Sequence, residues 1–298
     1  MTALLFFAIQ DSLIITLSRA HPLLEVLWFR SAIVLVLLSV FGLIIYGPGI
    51  LKGKHHLFLI SRGALAFLAF TSYYIALRSV PMADAAAVYM TAPLFVTILS
   101  VPILGEKVGA HRWAAVIIGF SAVVFMLNPG SSLFRLDSAI PLFSALCYAM
   151  IPIINRKIGQ TEHPLTMTIY TTATYLILVS LTSLVVFLIP DTEPGSFVAS
   201  ANFMQWSRFS VQSLLLILLT GCIFSIGLLC ITQAYRIAIV SSVAPFEYSY
   251  LLWASLIGYL VFDDVPGSRM LLGGSIVVLC GCYIVLREKQ SVKPQTSD

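Results

Sequence analysis

Three ionisable side chains stand well inside apolar runs: Asp11 in FFAIQDSLI, Arg30 in EVLWFRSAI and Glu247 in SSVAPFEYSYLL. A charge so placed costs about 3 kcal/mol even on the lowest scales, so each must bind something, pair with something or exchange a proton. Asp11 lies eight residues before Arg19, roughly 12 Å from the end of its run, and Arg30 lies roughly 9 Å into the next. Adjacent antiparallel helices would bring the two together. They would form a structural latch, or a split site in which Arg30 takes a carboxylate and Asp11 an amine. Glu247 lies roughly 9 Å into its own run. Three roles stand open for it: a contact inside a cavity, a proton-coupled gate that is neutral when buried and ionised when wet, or a strut against Arg236. Pro245 deprives the Ser241 carbonyl of its amide partner and predicts a local kink there.

Other polar groups share these runs. Gln10 and Gln233 could hydrogen-bond a ligand or another helix. Tyr89, Pro93 and Thr97 follow at i, i+4 and i+8, which predicts one continuous face on the fourth run. Tyr250 heads a narrow face with Ala254 and Gly258. Tyr74 and Tyr148, with Tyr73, Tyr175 and Trp253, sit mid-run, where rings form either core or the wall of a cavity for a ring-bearing ligand. The candidate cavity set is therefore Gln10, Asp11, Arg30, Tyr74, Tyr89, Pro93, Tyr148, Gln233, Glu247 and Tyr250. No phosphate-binding G-x-x-x-x-G-K-[ST], H-E-x-x-H or nucleophile elbow occurs, so an enzyme is not expected. The histidines lie at run ends and the cysteines singly inside runs, so neither a metal nor a cofactor is expected.

The elements that must position these residues follow from composition. Of 298 residues, 59% are hydrophobic and only 10% charged, and the mean hydropathy is +0.98. A soluble domain carries about 25% charged residues, so the expected class is an all-α integral membrane protein in a lipid bilayer. The basic residues are scattered, which excludes a nucleic-acid face. Charged, Pro and Gly clusters divide the chain into ten runs: 2–18, 24–46, 57–77, 84–104, 111–127, 139–155, 165–189, 211–234, 241–262 and 269–286. A barrel would instead show alternating segments of about ten residues. With the first run entering from the cytoplasm, eleven Lys and Arg fall on the cytoplasmic side, Lys52, Lys54, Arg62 and Arg236 among them, against five opposite. Both termini are therefore expected inside.

A shift of 158 residues lays IALRSVPMADAAAVYMTAPLF over QAYRIAIVSSVAPFEYSYLLW without a gap. Arg78 meets Arg236, Tyr89 meets Glu247 and Thr97 meets Ser255. With five runs per half, the halves must insert with opposite orientation, an arrangement common among transporters with a midplane site. The expected units are residues 1–128 and 129–288, then a disordered cytoplasmic tail, 289–298.

These stretches, with LISRGALAF and GEKVG, resemble the EamA-type transporters of the drug/metabolite transporter superfamily over residues 1–288. The Gly-Glu usual after the ninth helix stands here as Asp263-Asp264. The resemblance implies ten transmembrane helices in two inverted five-helix repeats and a central cavity lined by the first, third, fourth, sixth, eighth and ninth. It also implies a bacterial inner-membrane location. The expected function is secondary transport of a small-molecule metabolite such as an amino acid, S-adenosylmethionine or riboflavin, by alternating access. Export is the expected direction. Uptake is the alternative, and a membrane-embedded enzyme or a receptor is the alternative of another class.

Overall fold

The computed structural model describes residues 2–105, 109–127, 139–188, 209–237, 243, 246–265 and 267–291. Among them all regular structure is helical. The order is α1 (Thr2–Ser18), α2 (Leu23–Tyr46), a 3-10 turn (Pro48–Leu51), α3 (His56–Ala76), α4 (Met82–Tyr89) and α5 (Ala92–Leu104). There follow α6 (Ala110–Leu127), α7 (Ile140–Ile158), α8 (Pro164–Leu188), α9 (Val211–Ile237), α10 (Ser249–Phe262) and α11 (Ser268–Ser291). Each expected run contains a helix, and the last helix continues three residues into the expected tail.

The fourth run contains two helices. Pro93 has no amide hydrogen to give the Tyr89 carbonyl, and the helix breaks at Met90 and Thr91 before restarting at Ala92. The continuous Tyr89–Pro93–Thr97 face expected of one helix is therefore interrupted. Pro245 lies outside the described residues, but a turn at Tyr248 precedes α10.

The distribution of polarity is inside out. Val36, Val40 and Ile44 of α2 and Leu214, Leu215 and Leu218 of α9 are exposed, whereas Gln10, Asp11, Arg30, Arg62 and Glu247 are buried. Water would reverse that order, while hydrocarbon permits it. Leu23–Tyr46, His56–Ala76, Met82–Leu104, Pro164–Val185 and Val211–Ile237 are long and apolar enough to cross a membrane, and four shorter apolar helices accompany them. The chain is a multi-pass membrane protein.

Packing links the two halves directly. α3 lies against α7 and α8, while α9 lies against α1 and α2; α5 meets α7, α10 meets α1, and α6 meets α11. The α3–α8 approach is close enough that a Cβ at Gly63 would stand 2.4 Å from Thr174. Contacts also sort the helix ends. At one end Glu162 Oε1 accepts the backbone N–H of Lys54 at 2.6 Å and of His55 at 2.7 Å. At the same end Arg236 Nε donates to the Gly159 carbonyl at 2.7 Å. At the other end Arg19 lies 5.0 Å from the Phe262 ring centre, and His21 meets Ser213 at 2.9 Å.

Candidate functional site

α1 carries Gln10 and Asp11 into the interior, where α3 and α10 supply hydroxyls. Asp11 Oδ1 accepts Gln10 Nε2 at 2.9 Å and Tyr74 Oη at 2.8 Å. Its Oδ2 accepts Tyr250 Oη at 2.6 Å, and Tyr250 in turn shares a hydrogen with Tyr73 at 2.8 Å. A carboxylate can be held in such a site because the donors replace the water it gives up. Arg30 enters the network through a side chain: its Nη1 donates to Tyr74 Oη at 3.2 Å. The guanidinium also lies 4.5 Å from the Phe224 ring centre and 5.4 Å from that of Tyr175, a cation–π setting. Asp11 and Arg30 thus share Tyr74 as an intermediary, and the expected face-to-face ion pair is replaced by a relay.

Glu247 stands immediately before the turn at Tyr248 that precedes α10. Its Oε1 accepts Tyr148 Oη at 2.7 Å from α7. Tyr235 of α9 is near enough to interact electrostatically with the carboxylate, but its hydroxyl falls short of hydrogen-bond geometry. Arg236 points elsewhere, onto Gly159, so the strut reading of Glu247 is not what this structure forms.

Both carboxylates line one cavity of about 500 Å³, counting its open end. Gln10, Tyr74, Tyr89, Tyr148 and Tyr250 share the wall with Leu4, Phe7, Phe70 and Phe224. Tyr89 stacks near Tyr73 at 4.9 Å and Tyr148 at 5.5 Å between ring centres, closing an aromatic ring around the acids. Seven of the ten candidates therefore come together. Arg30 stands behind Tyr74, Pro93 is buried beyond the helix break and Gln233 is exposed. Tyr73 and the phenylalanines belong to the wall, although their types alone could not separate wall from core. Gln10 Oε1 is buried there without a hydrogen-bond partner.

One buried charge was misread by sequence reasoning. Arg62 counts among the cytoplasmic topology marks, yet it is 1% exposed inside α3. The signal was available, since Arg62 stands five residues into the third run and Arg30 six into the second.

Residues 1–128 match the EamA-like transporter family. They are an EamA domain. The chain is 29% identical over 278 residues to an S-adenosylmethionine uptake transporter of Rickettsia prowazekii, covering 92% of this chain and 86% of that one. It is 33% identical over 206 residues to a riboflavin transporter of Vibrio cholerae, covering 69% and 63%. It is 23% identical over 286 residues to a pseudopaline exporter of Pseudomonas aeruginosa, covering 95% and 93%. A solved crystal structure superposes with a TM-score of 0.64 at 15% identity, covering 98% of this chain and 99% of that one, which shows a shared fold. The EamA domain contributes Gln10, Asp11, Tyr73, Tyr74 and Tyr89 to the cavity. Tyr148, Phe224, Glu247 and Tyr250 come from the remainder of the chain.

Proposed function

We propose that this protein is a secondary transporter that carries a positively charged, ring-bearing metabolite, of the S-adenosylmethionine kind, across the bacterial inner membrane. The observation that carries this reading is the pair Asp11 and Glu247 in one aromatic-walled cavity. Among the described residues neither carboxylate bonds a Lys or Arg directly, and Arg30 reaches Asp11 only through Tyr74. Two acids and the free Gln10 acceptor suit a cation with N–H donors, while the tyrosines offer faces for a cation and for an aromatic ring. The Rickettsia prowazekii relative, whose name states S-adenosylmethionine uptake, agrees with that chemistry.

The architecture in this reading is ten spans in two inverted repeats, residues 1–128 and 129–288, with the remaining tail and the N-terminus in the cytoplasm. The packing supports it through its exchange pattern: α3 on α7 and α8 is mirrored by α9 on α1 and α2. An inverted repeat produces such a swap when its halves rock between two access states. The end holding Lys54, His55, Arg156, Lys157 and Arg236 is the cytoplasmic one by the excess of positive charge. Glu247 is the proton-coupling group in this reading, because it is a buried carboxylate in the cavity wall, next to the helix break at Tyr248.

Flux of labelled S-adenosylmethionine into and out of proteoliposomes tests the reading. Saturable movement of the unaltered compound, competed by excess unlabelled compound, is expected. Chemical conversion without translocation would show a membrane enzyme instead. An identical pH profile for wild type and Glu247→Gln would remove proton coupling from the reading while leaving transport in place.

A further inference from the structure

The acid cavity makes no use of Arg62. This side chain stands six residues into α3, roughly 9 Å from its basic end. Its Nη1 donates to the Met167 carbonyl at 2.7 Å and to Thr171 Oγ1, and its Nη2 donates to Thr232 Oγ1 at 2.8 Å. All three partners are neutral, and among the described residues no carboxylate bonds the guanidinium. A buried cation without a counter-charge is expensive in hydrocarbon. Its Nε has no partner at all.

The neighbouring groups share that condition. Arg62, Asn155 and Tyr235 line a second, smaller pocket. Asn155 Oδ1 and Tyr235 Oη are also buried without a hydrogen-bond partner. Each of the three residues is at most 2% exposed. The oxygen and nitrogen of an amide exchange places on a half-turn, so Asn155 can present N–H to the void. Arg62, Asn155 and Tyr235 then offer three unspent donors around one positive charge. That donor set matches a monoanionic oxyacid, and a carboxylate balances a single guanidinium. Tyr148 walls both voids while its hydroxyl donates to Glu247, so the two chambers adjoin.

Resting on the transporter reading, we infer that the Arg62 chamber is a second subsite. It takes the carboxylate of an amino-acid-like zwitterion whose positive end lies toward Glu247. The substrate supplies a counter-charge to each group in its own chamber, so that Arg62 and Glu247 are both locally paired only when the pathway is loaded.

Thermal-unfolding titrations of the detergent-solubilised full chain test this with three probes: S-adenosylmethionine, its decarboxylated derivative and sodium butyrate. Wild type should bind the carboxylate-bearing compound about ten-fold more tightly than the decarboxylated one, as one charge-assisted contact predicts. Arg62→Gln should bring the two to near parity. Tyr235→Phe is the milder variant, because the hydroxyl it removes meets no hydrogen-bond geometry in the protein; it should weaken the carboxylate-bearing compound by about three- to ten-fold. Parity in wild type, or an undiminished preference in Arg62→Gln, would overturn the subsite and leave Arg62 a strut joining α3 to α8 and α9. If neither adenosyl compound binds, butyrate decides. A rise in unfolding temperature for wild type but not for Arg62→Gln or Tyr235→Phe upholds the subsite and shows that the proposed substrate was wrong. No protection by butyrate then overturns the subsite as well.

Discussion

Residues 88–105 and 246–263 stand 158 positions apart and pass through the same backbone events with different chemistry. Thr91 Oγ1 returns a hydrogen bond to the Val88 carbonyl at 2.8 Å, and Ser249 Oγ does the same to Phe246 at 2.8 Å. Such back-bonding competes with the helix ladder and bends it. Both stretches then end in a left-handed cap, Gly105 at φ 68° and Asp263 at φ 56°. Yet Tyr89 in the first stretch corresponds to Glu247 in the second, and Ala92 corresponds to Tyr250. The shared register sets where the helix breaks, and the side chains set there decide that only one of the two breaks carries charge. Together with Asp11 of α1, this makes a cavity whose negative character comes from unlike contributions.

The largest test of that contrast is at the non-equivalent pair. Glu247→Gln should lower the initial flux of a cationic substrate by about 10–100-fold, the worth of a charge-assisted contact of roughly 1.5–3 kcal/mol. Tyr89→Phe should change the same flux by less than about three-fold, since a phenyl ring keeps the aromatic wall. Equal losses would break the comparison.

Tyr250 sharpens it at the level of stability. Tyr250→Phe removes the hydrogen bonds to Asp11 and Tyr73 and should cost about 1–3 kcal/mol in unfolding free energy. Denaturation in mild detergent reads this directly, and a loss below about 0.5 kcal/mol would show that the Asp11 network is held by its other donors.

The smallest effect is expected at the caps. Asp263→Gly should stabilise the fold by up to about 1 kcal/mol by relieving the left-handed strain. Gly105→Ala should cost a similar amount, about 1 kcal/mol; a Cβ there would meet nothing within 4 Å, so any loss reports backbone strain alone.

Asp263 also shows how part of the fold was legible in advance. The sequence departs there from the Gly-Glu expected after the ninth helix, and the structure requires the left-handed conformation that Gly adopts freely and Asp tolerates. The ten apolar runs predicted helix positions closely because span length is a local property. The fourth run was the exception. Pro93 was placed on a helical face, while its missing amide ended that face at Tyr89.

The sequence by itself determined the class of the protein, the 158-residue register between two of its stretches and the presence of Asp11, Arg30 and Glu247 inside apolar runs. All three follow from composition and spacing along the chain. Only the tertiary structure decided that Tyr74 stands between Asp11 and Arg30, that Glu247 faces Tyr148 rather than Arg236, and that Arg62 is buried beside unspent donors. The reason lies in how a membrane helix is written. A span apolar on nearly all sides has no polar stripe to mark which face turns inward. Its rotation is set by the neighbours it packs against, and those neighbours come from the other end of the chain.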